Sequence, residues 1–374
     1  MFKQIKSCFA QTPVNTGRQR ELDIAKGWVI ILMAFSHGIE ILGWFFDPQI
    51  QDGFFWHGFD MLIKGTAPVF IFCMGISLCY SRKQSAGELF RRGIRTAGIV
   101  VLLEFFRTVV PCFVEWLIFR DLESIGYINQ VFCVDILQFA TMAILAIALM
   151  KKLRLNSVVM LTVAVICSVI GQLLQGVTTG SVPGDYAAGF LWNTHYAAYF
   201  PFLNWLIVPV IGYVFGQFWL RLQDKKTFFK WVTPISFGIS ILYYASMALV
   251  GEWYYFSGGN YCGIGILDVL FMFVIFFAIL GACYYTNQWT HSVSNVFVSM
   301  GARVNSVYCI HWVIYAFLYV ILVCVLGEDQ YLPLWTVVPA AVLVLVAADL
   351  LSRLYKKYLK KKKVDSSFSK PTKS

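Results

Sequence analysis

Charged residues are scarce in this sequence: Asp, Glu, Lys and Arg make up 13% of its 374 positions, whereas apolar residues make up 59%. A soluble domain typically has about 25% charged and about 45–50% apolar residues. The apolar excess lies in uninterrupted runs that approach the ~20 residues needed to cross a bilayer. Long polar stretches are missing as well, which excludes a separate soluble domain. The composition therefore indicates one membrane domain.

Metal-site spacings of cysteine and histidine are also missing, so we expect no metal. Most of the ten cysteines lie inside apolar runs, where a free thiol behaves as a small hydrophobe. The first twenty residues lack an apolar core followed by a small-residue cleavage site, so we expect no cleaved signal peptide.

The net charge of +10 is concentrated at the ends of the apolar runs and in a basic tail. The tail comprises Lys356, Lys357, Lys360, Lys361, Lys362 and Lys363. A basic segment next to a membrane attracts anionic lipid headgroups. We therefore expect contact with membrane lipids and no binding of nucleic acid.

Ten apolar runs are long enough to be membrane helices. They are approximately 27–46, 59–80, 94–119, 129–150, 155–176, 199–220, 229–250, 263–284, 304–326 and 334–352. Only helices and closed barrels satisfy the backbone polar groups in lipid. Runs of this length without period-2 alternation exclude a barrel. The sequence predicts an all-α, polytopic membrane helix bundle with about ten transmembrane helices.

Basic and acidic residues occupy alternate connectors between these runs. The basic set comprises Arg82, Lys83, Arg91, Arg92, Arg95, Lys151, Lys152, Arg154, Arg221, Lys225, Lys226 and Lys230. The opposite set comprises Asp47, Asp52, Asp185, Glu252, Glu328 and Asp329, with Arg120 as its basic exception. Because basic connectors stay in the cytoplasm, both termini are predicted to be cytoplasmic in a multi-pass protein of the plasma or inner membrane. We expect a cytoplasmic segment 1–19, a transmembrane domain 20–352 and a basic cytoplasmic tail 353–374.

His37 lies inside the first apolar run, where an ionisable residue is costly and indicates function. Eleven residues separate it from Lys26, which is roughly 16 Å at about 1.5 Å per residue. His37 is thus expected near mid-membrane and Lys26 near the cytoplasmic surface, on one face of the helix. A histidine in this position can be a structural hydrogen-bonding group between helices. The functional interpretation is a base that accepts a proton near neutral pH.

Other polar residues are placed to face His37. Asp135 and Gln138 share a face of the fourth run, and Tyr308 and His311 share a face of the ninth. Glu104 and Arg107 are spaced to neutralise one another, and there a structural pair is at least as good an interpretation as a functional one. Trp56, His57 and Asp60 begin the second run from outside. Most outer aromatics are explained by anchoring in the headgroup region, but aromatic rings also stack on sugars, and we predict that these three residues bind the acceptor substrate.

Arg91, Arg92 and Arg95 begin the third run at the inner face. Positive-inside anchoring explains them and, without further context, is the favoured interpretation. The functional interpretation is a phosphate site, because guanidinium groups match phosphate oxygens, and Arg92 and Arg95 can converge on one anion.

These residues resemble membrane acyltransferase family 3. Segment 20–27 (RELDIAKG), followed by His37, is similar to that family's first helix, where a basic residue, ten intervening positions and a catalytic histidine recur. Arginine is the commoner basic residue there, and Lys26 resembles the fucose O-acetylase-like branch. Arg92 and Arg95 match the family's Arg-x-x-Arg at the third helix.

Further segments resemble the heparan-α-glucosaminide N-acetyltransferase catalytic domain. They are 67–77 (APVFIFCMGIS), 134–139 (VDILQF), 199–205 (YFPFLNW) and 305–312 (NSVYCIHW). The first and last of them are similar to both groups, and the resemblance covers roughly residues 18–350. The heparan-type enzymes carry a reactive histidine in the first outer connector, where His57 roughly matches. The resemblance leaves His37 and His57 open as the reactive histidine, and we favour His37.

The resemblance implies transfer of an acyl group, most often acetyl, from cytoplasmic acyl-CoA to a hydroxyl or amine of an extracytoplasmic glycan or lipid-linked sugar. Lys26, Arg92 and Arg95 would hold the phosphates of acetyl-CoA. His37 would deprotonate the acceptor or carry the acetyl group briefly. As further catalytic residues, Asp135, Gln138 and His311 would orient it or stabilise the oxyanion.

Ten helices with polar groups at mid-depth also describe a transporter or exporter of a glycan or small molecule. The sequence has no convincing internal repeat and no matching pair of Gly/Pro-broken helices, which argues against a transporter. A catalytically silent membrane partner of a glycan synthase is a third alternative.

Overall fold

The computed structural model describes residues 2–43, 62–81, 84–120, 127–194, 198–250, 261–327 and 332–368. Within these ranges the chain is helical and contains no β-strand, as predicted for an all-α protein. The α-helices are α1 (Phe2–Ser7), α2 (Arg20–Leu42), α3 (Thr66–Cys79), α4 (Ala86–Glu104), α5 (Val110–Phe119), α6 (Ile136–Lys152), α7 (Ser157–Leu173), α8 (Val182–Gly189), α9 (Phe202–Trp205), α10 (Ile207–Trp219), α11 (Lys225–Val250), α12 (Ile266–Trp289), α13 (His291–Gly301), α14 (Val304–Leu326) and α15 (Leu334–Phe368). A π-helical turn (Phe105–Val109) joins α4 to α5, and a 3-10 helix (Tyr127–Phe132) precedes α6.

Seven helical segments of the described chain are long and apolar enough to cross a membrane. They are Arg20–Leu42, Leu62–Cys79, Ala86–Phe119, Phe202–Trp219, Ile266–Trp289, Val304–Leu326 and Leu334–Leu359. Helix α7 is apolar but shorter, and α6 and α11 coincide with two further predicted runs. The chain is a multi-pass membrane protein, whereas the ten crossings and the cytoplasmic termini stay predictions.

Side-chain caps determine where several helices begin. Ser85 and Glu88 form a reciprocal capping box at the start of α4. The Asn156 side chain accepts a hydrogen bond from the backbone N–H of Val159 at 2.9 Å and caps α7. Asp135 precedes α6, and its Oδ1 accepts from the backbone N–H of the next residue at 2.6 Å. This cap fixes the Asp135 carboxylate at the start of a membrane helix.

Helix α2 packs against α3, α12, α13, α14 and α15. Two glycines allow α13 to approach it closely. A Cβ atom at Gly27 would collide with the carbonyl group of Phe297, and one at Gly301 would collide with the carbonyl of Asp23. Small residues commonly permit such close packing of membrane helices. Residues Lys26 and His37 are therefore carried by a helix enclosed by other helices.

The ends of several helices that carry basic residues meet at one end of the bundle, which we call the basic end. Lys225, at the start of α11, forms an ion pair with Glu21 of α2 at 2.5 Å. Lys151, near the end of α6, donates to the carbonyl oxygen of Gln84, which precedes α4, at 2.5 Å. The predicted alternation of basic connectors would bring these same helix ends together.

Candidate active site

His37 of α2 and His311 of α14 meet inside the bundle. The Nδ1 atom of His37 lies 2.8 Å from the Nε2 atom of His311. The two rings are nearly parallel, with an interplanar angle of 7°. His311 is fully buried and His37 is half-buried. The ring of His37 therefore faces another helix and does not point outward into lipid.

The hydrogen bonds of His311 determine which nitrogen of His37 carries a proton. His311 Nδ1 lies 3.0 Å from the carbonyl oxygen of Val307, which can only accept, so Nδ1 must be the protonated nitrogen. In the neutral ring, Nε2 of His311 is then an acceptor. Nδ1 of His37 must donate to it, because one of the two facing nitrogens has to supply the proton. The remaining nitrogen of His37, Nε2, then carries a lone pair, and no hydrogen bond to it is found among the described residues.

Two aromatic residues of α14 pack around this pair. The ring of Trp312 lies against His37, with a centroid separation of 4.1 Å and an interplanar angle of 35°. The hydroxyl of Tyr315 donates to the carbonyl oxygen of Ala34, which lies in the helical turn before His37, at 2.7 Å. These contacts tie α14 to the part of α2 that carries the histidine.

A network of charged side chains lies beside the histidine pair. Arg107 forms ion pairs with Glu104 and with Asp135, both at 2.7 Å, which confirms the predicted pairing of Glu104 with Arg107. The Tyr308 hydroxyl donates to Asp135 at 2.6 Å, and Gln138 donates to Glu104 at 2.8 Å. Tyr308 links the network to the helical turn of α14 that bears the second histidine.

The π-helical turn Phe105–Val109 positions the centre of this network. It directly follows Glu104 and contains Arg107. A π-turn inserts one extra residue into a helix and shifts the side chains that follow, and such turns are frequent at functional sites. Thr108, in the same turn, donates to Glu104 at 3.1 Å. The turn thus presents its arginine to Asp135 at the start of α6.

A cavity of about 750 Å³ opens near the basic end, between α2, α3, α4, α6 and the start of α14. Its volume is in the range of sites that bind small molecules, roughly 300–1,000 Å³. Apolar residues form one wall: Phe70, Met74, Leu137, Ala140 and Ile144. Of the lining residues, Leu137 directly precedes Gln138 in sequence. Ser306 lies two residues before Tyr308. The lining therefore reaches residues that are close in sequence to the charged network, but it includes neither His37 nor His311.

Four cationic side chains and one carboxylate line this cavity: Arg18, Lys26, Arg92, Arg303 and Asp23. Asp23 lies 2.6 Å from Arg18 and 2.9 Å from Lys26 and is shared by both. Arg303 is neutralised by Asp349 at 2.6 Å. The half-buried guanidinium of Arg92 has no hydrogen-bond or ion-pair partner among the described residues. The cavity therefore has excess positive charge and an unpaired arginine.

The structure brings together most of the predicted site residues that it describes. His37 and His311 contact each other, whereas Asp135 and Gln138 belong to the charged network. Among the described residues, neither Asp135 nor Gln138 forms a hydrogen bond with His37. Lys26 and Arg92 line one cavity.

The other predictions have a different outcome. Arg95 is exposed on α4 and is not part of the cavity lining. Trp56, His57 and Asp60 lie outside the described residues, so the predicted acceptor site stays a prediction. In the described ranges, no three His, Cys, Asp or Glu side chains are grouped as a metal ion would require.

The site also contains residues beyond the predicted catalytic set, namely Glu104, Arg107, Tyr308 and Trp312. Arg107 could have been found because an arginine inside an apolar run indicates function. Its spacing from Glu104, however, fitted a purely structural ion pair at least as well. Tyr308 shares a helix face with His311. Trp312 carries no such signal, because tryptophan is common in membrane helices and only its contact with His37 sets it apart.

Residues 18–243 match the family described as heparan-alpha-glucosaminide N-acetyltransferase, catalytic. The match covers more than half of the chain and includes His37, Arg92, Arg107 and Asp135. The chain belongs to this family of acetyltransferases. A search of curated proteins finds no match.

Proposed function

We propose that this protein transfers an acetyl group from cytoplasmic acetyl-CoA to a hydroxyl or amine of an extracytoplasmic glycan or lipid-linked sugar. The observation that carries the proposal is the chain of hydrogen bonds from Val307 through His311 to His37, which leaves the lone pair of His37 on Nε2. Membership of an acetyltransferase family supports it.

The proposed orientation places the basic end in the cytoplasm, where basic connectors are retained. The donor is too polar to cross lipid, so its phosphates must stay at that end. Arg92 is unpaired and lines the cavity there, and a guanidinium matches phosphate oxygens well. Lys26 lies in the same cavity about 16 Å along α2 from His37, a distance based on about 1.5 Å per residue. The thin thiol-bearing arm of the donor can extend over this distance.

In the proposed mechanism, Nε2 of His37 accepts the proton of the acceptor's O–H or N–H group. The acceptor attacks the thioester carbonyl carbon, the C–S bond then breaks, and the leaving thiolate takes the proton back from His37. His311 keeps His37 in the reactive tautomer and accepts a hydrogen bond from the imidazolium. The acceptor is the nucleophile, His37 is the base, and His311 orients that base, as a third group does in other enzymes with an activated nucleophile.

The charged network supports the imidazolium that forms during transfer. Glu104 and Asp135 carry two negative charges against the single positive charge of Arg107. An excess negative charge near a buried imidazolium is favourable because charges interact strongly in a low-dielectric interior. We assign Asp135 and Gln138 to this electrostatic and positioning role.

The test measures incorporation of labelled acetyl groups into cell-surface glycans by membrane vesicles supplied with labelled acetyl-CoA. We expect His37→Ala to lower the rate about 10²–10⁴-fold, the range for loss of a general base, while acetyl-CoA still binds. His291 is exposed at the start of α13, and His291→Ala is the matched control with an unchanged rate. Full activity of His37→Ala would refute the assignment. A transporter would show no acetyl-CoA binding at all.

The positioning role of His311 has a separate readout. His311→Ala removes the acceptor of the His37 proton and should lower the rate at saturating acetyl-CoA without changing donor affinity. His311→Gln places an amide oxygen near the former position of Nε2 and should restore part of the rate. Equal losses in the two variants would contradict the tautomer argument.

A further inference from the structure

The indole N–H of Trp312 is a buried donor that forms no hydrogen bond of normal geometry in the described part of the chain. Its Nε1 atom is inaccessible to solvent, and it interacts with the Tyr308 side chain without forming a regular hydrogen bond. A buried tryptophan N–H usually finds a partner, and an unsatisfied one costs about 1–3 kcal/mol. Such a group requires an explanation, and a catalytic role is one of the recognised ones.

The surroundings of Trp312 are those of a reaction centre. Its ring lies 4.1 Å from the ring of His37, centroid to centroid. The guanidinium of Arg107 lies 4.6 Å from the same centroid, which is within cation–π distance. A cation over the ring withdraws electron density from the indole and makes its N–H a stronger donor. Trp312 also follows His311 directly in α14, so the donor and the positioning histidine are held by the same helical turn.

We propose that Nε1–H of Trp312 donates a hydrogen bond to the oxyanion of the tetrahedral intermediate. The proposal rests on the proposed function. When the acceptor oxygen or nitrogen bonds to the thioester carbon, the carbonyl electron pair moves onto oxygen, and this O⁻ requires a donor. When the C–S bond breaks, the carbonyl re-forms and the hydrogen bond weakens. A preformed donor that forms no regular hydrogen bond with the described residues stabilises this intermediate selectively, because it loses no such hydrogen bond when it binds the oxyanion.

The indole could instead support Tyr308, whose ring centroid is 6.5 Å from that of Trp312 and whose hydroxyl donates to Asp135. In that case Trp312 would act only through the charged network. The two roles predict different results when the Trp312 N–H group is removed from a Tyr308→Phe variant. A donor to the oxyanion still matters in that variant, whereas a group that acts through the Tyr308 hydroxyl does not.

The experiment replaces Trp312 with 3-benzothienylalanine, which keeps the shape of the ring and its contacts with His37 and Arg107 but lacks the N–H group. Acetyl transfer from labelled acetyl-CoA is measured in membrane vesicles at saturating donor. We expect the rate to fall about 10²–10³-fold, the effect of removing one oxyanion donor, with unchanged acetyl-CoA affinity and a thermal stability no lower than that of the unmodified protein. The same replacement at Trp335, which is 78% exposed on α15, is the control and should leave the rate unchanged.

Two outcomes would overturn the proposal. The first is a rate within ~3-fold of that of the unmodified protein. Such a change is smaller than the tenfold effect of about 1.4 kcal/mol and is too small for the loss of an oxyanion donor. The second is a loss that matches that of Tyr308→Phe and disappears in the Tyr308→Phe background, because the indole would then act through Tyr308. Either result leaves the proposed function standing if His37→Ala is inactive. The proposed function itself fails if the unmodified protein transfers no acetyl group.

Discussion

Arg92 differs from the other cations of the cavity in having no counter-charge among the residues that the structure describes. Arg18 and Lys26 share Asp23, and Arg303 is held by Asp349. A desolvated cation without a partner is costly, and the cost is recovered when an anion binds. At the scale of single residues, the phosphate site of the proposed donor thus depends on Arg92 above all.

We predict that Arg92→Ala weakens acetyl-CoA binding by about tenfold to a few hundredfold, the equivalent of ~1.5–3 kcal/mol for a charge-assisted hydrogen bond. Arg91 is adjacent, exposed and absent from the cavity lining, so Arg91→Ala is the matched control. Binding of labelled acetyl-CoA to the purified protein provides the measurement. If both variants lose affinity equally, the arginines act through general surface charge and the cavity is not the phosphate site.

Helix packing at the basic end forms the wall of this cavity. Helix α13 contacts α2 at Gly27 and Gly301, and the rings of Trp28 and Phe297 stack with centroids 4.5 Å apart. Gly301 itself lines the cavity together with Asp23. At the scale of elements, the distance between α13 and α2 therefore sets the shape of the proposed donor site.

We predict that Gly301→Ala destabilises the protein by about 1–3 kcal/mol, the usual cost of overpacking, and weakens acetyl-CoA binding. The added methyl group would collide with the backbone carbonyl of Asp23 and push α13 away from α2. Gly98 lies in α4 with no atom within 4 Å of an added Cβ, so Gly98→Ala should leave stability and binding intact. Unfolding midpoints in detergent and donor binding are compared for both variants. A Gly301→Ala protein as stable as Gly98→Ala would contradict the packing argument.

The position of the basic end relative to the membrane concerns the whole molecule. The donor cavity, the unpaired Arg92 and the ends of α2, α4, α6 and α11 lie on one side of the histidine pair. Basic residues are retained in the cytoplasm. The proposed orientation therefore requires that each predicted run crosses the membrane, including the shorter helix α7.

We predict that Ser181→Cys reacts with a membrane-impermeant maleimide in intact cells, whereas Lys152→Cys reacts only after permeabilisation. Both positions are exposed, and they flank α7 on its two sides. The unmodified chain, with its ten native cysteines, provides the background level of labelling. Labelling of both variants under the same condition would show that α7 does not cross, and the predicted count of ten would then be wrong.

Much of the fold could be predicted from the sequence, because run length and the absence of alternation are local properties. Each of the ten apolar runs coincides with a helix in the described chain. The sequence also made His37, His311 and Asp135 candidates for the site, since ionisable residues in apolar helices are costly and therefore conspicuous. Helical periodicity placed Tyr308 on the face of His311.

The partners of these residues were decided only by the tertiary structure. His37 and His311 are 274 positions apart, and no local pattern indicates that α2 and α14 meet at this register. The π-turn that carries Arg107 to Asp135, and the contact of Trp312 with His37, depend in the same way on how the helices pack. Periodicity determines which face of a helix a side chain occupies. Which faces meet depends on close packing between helices that are distant in sequence, and the chemistry of the site depends on that pairing.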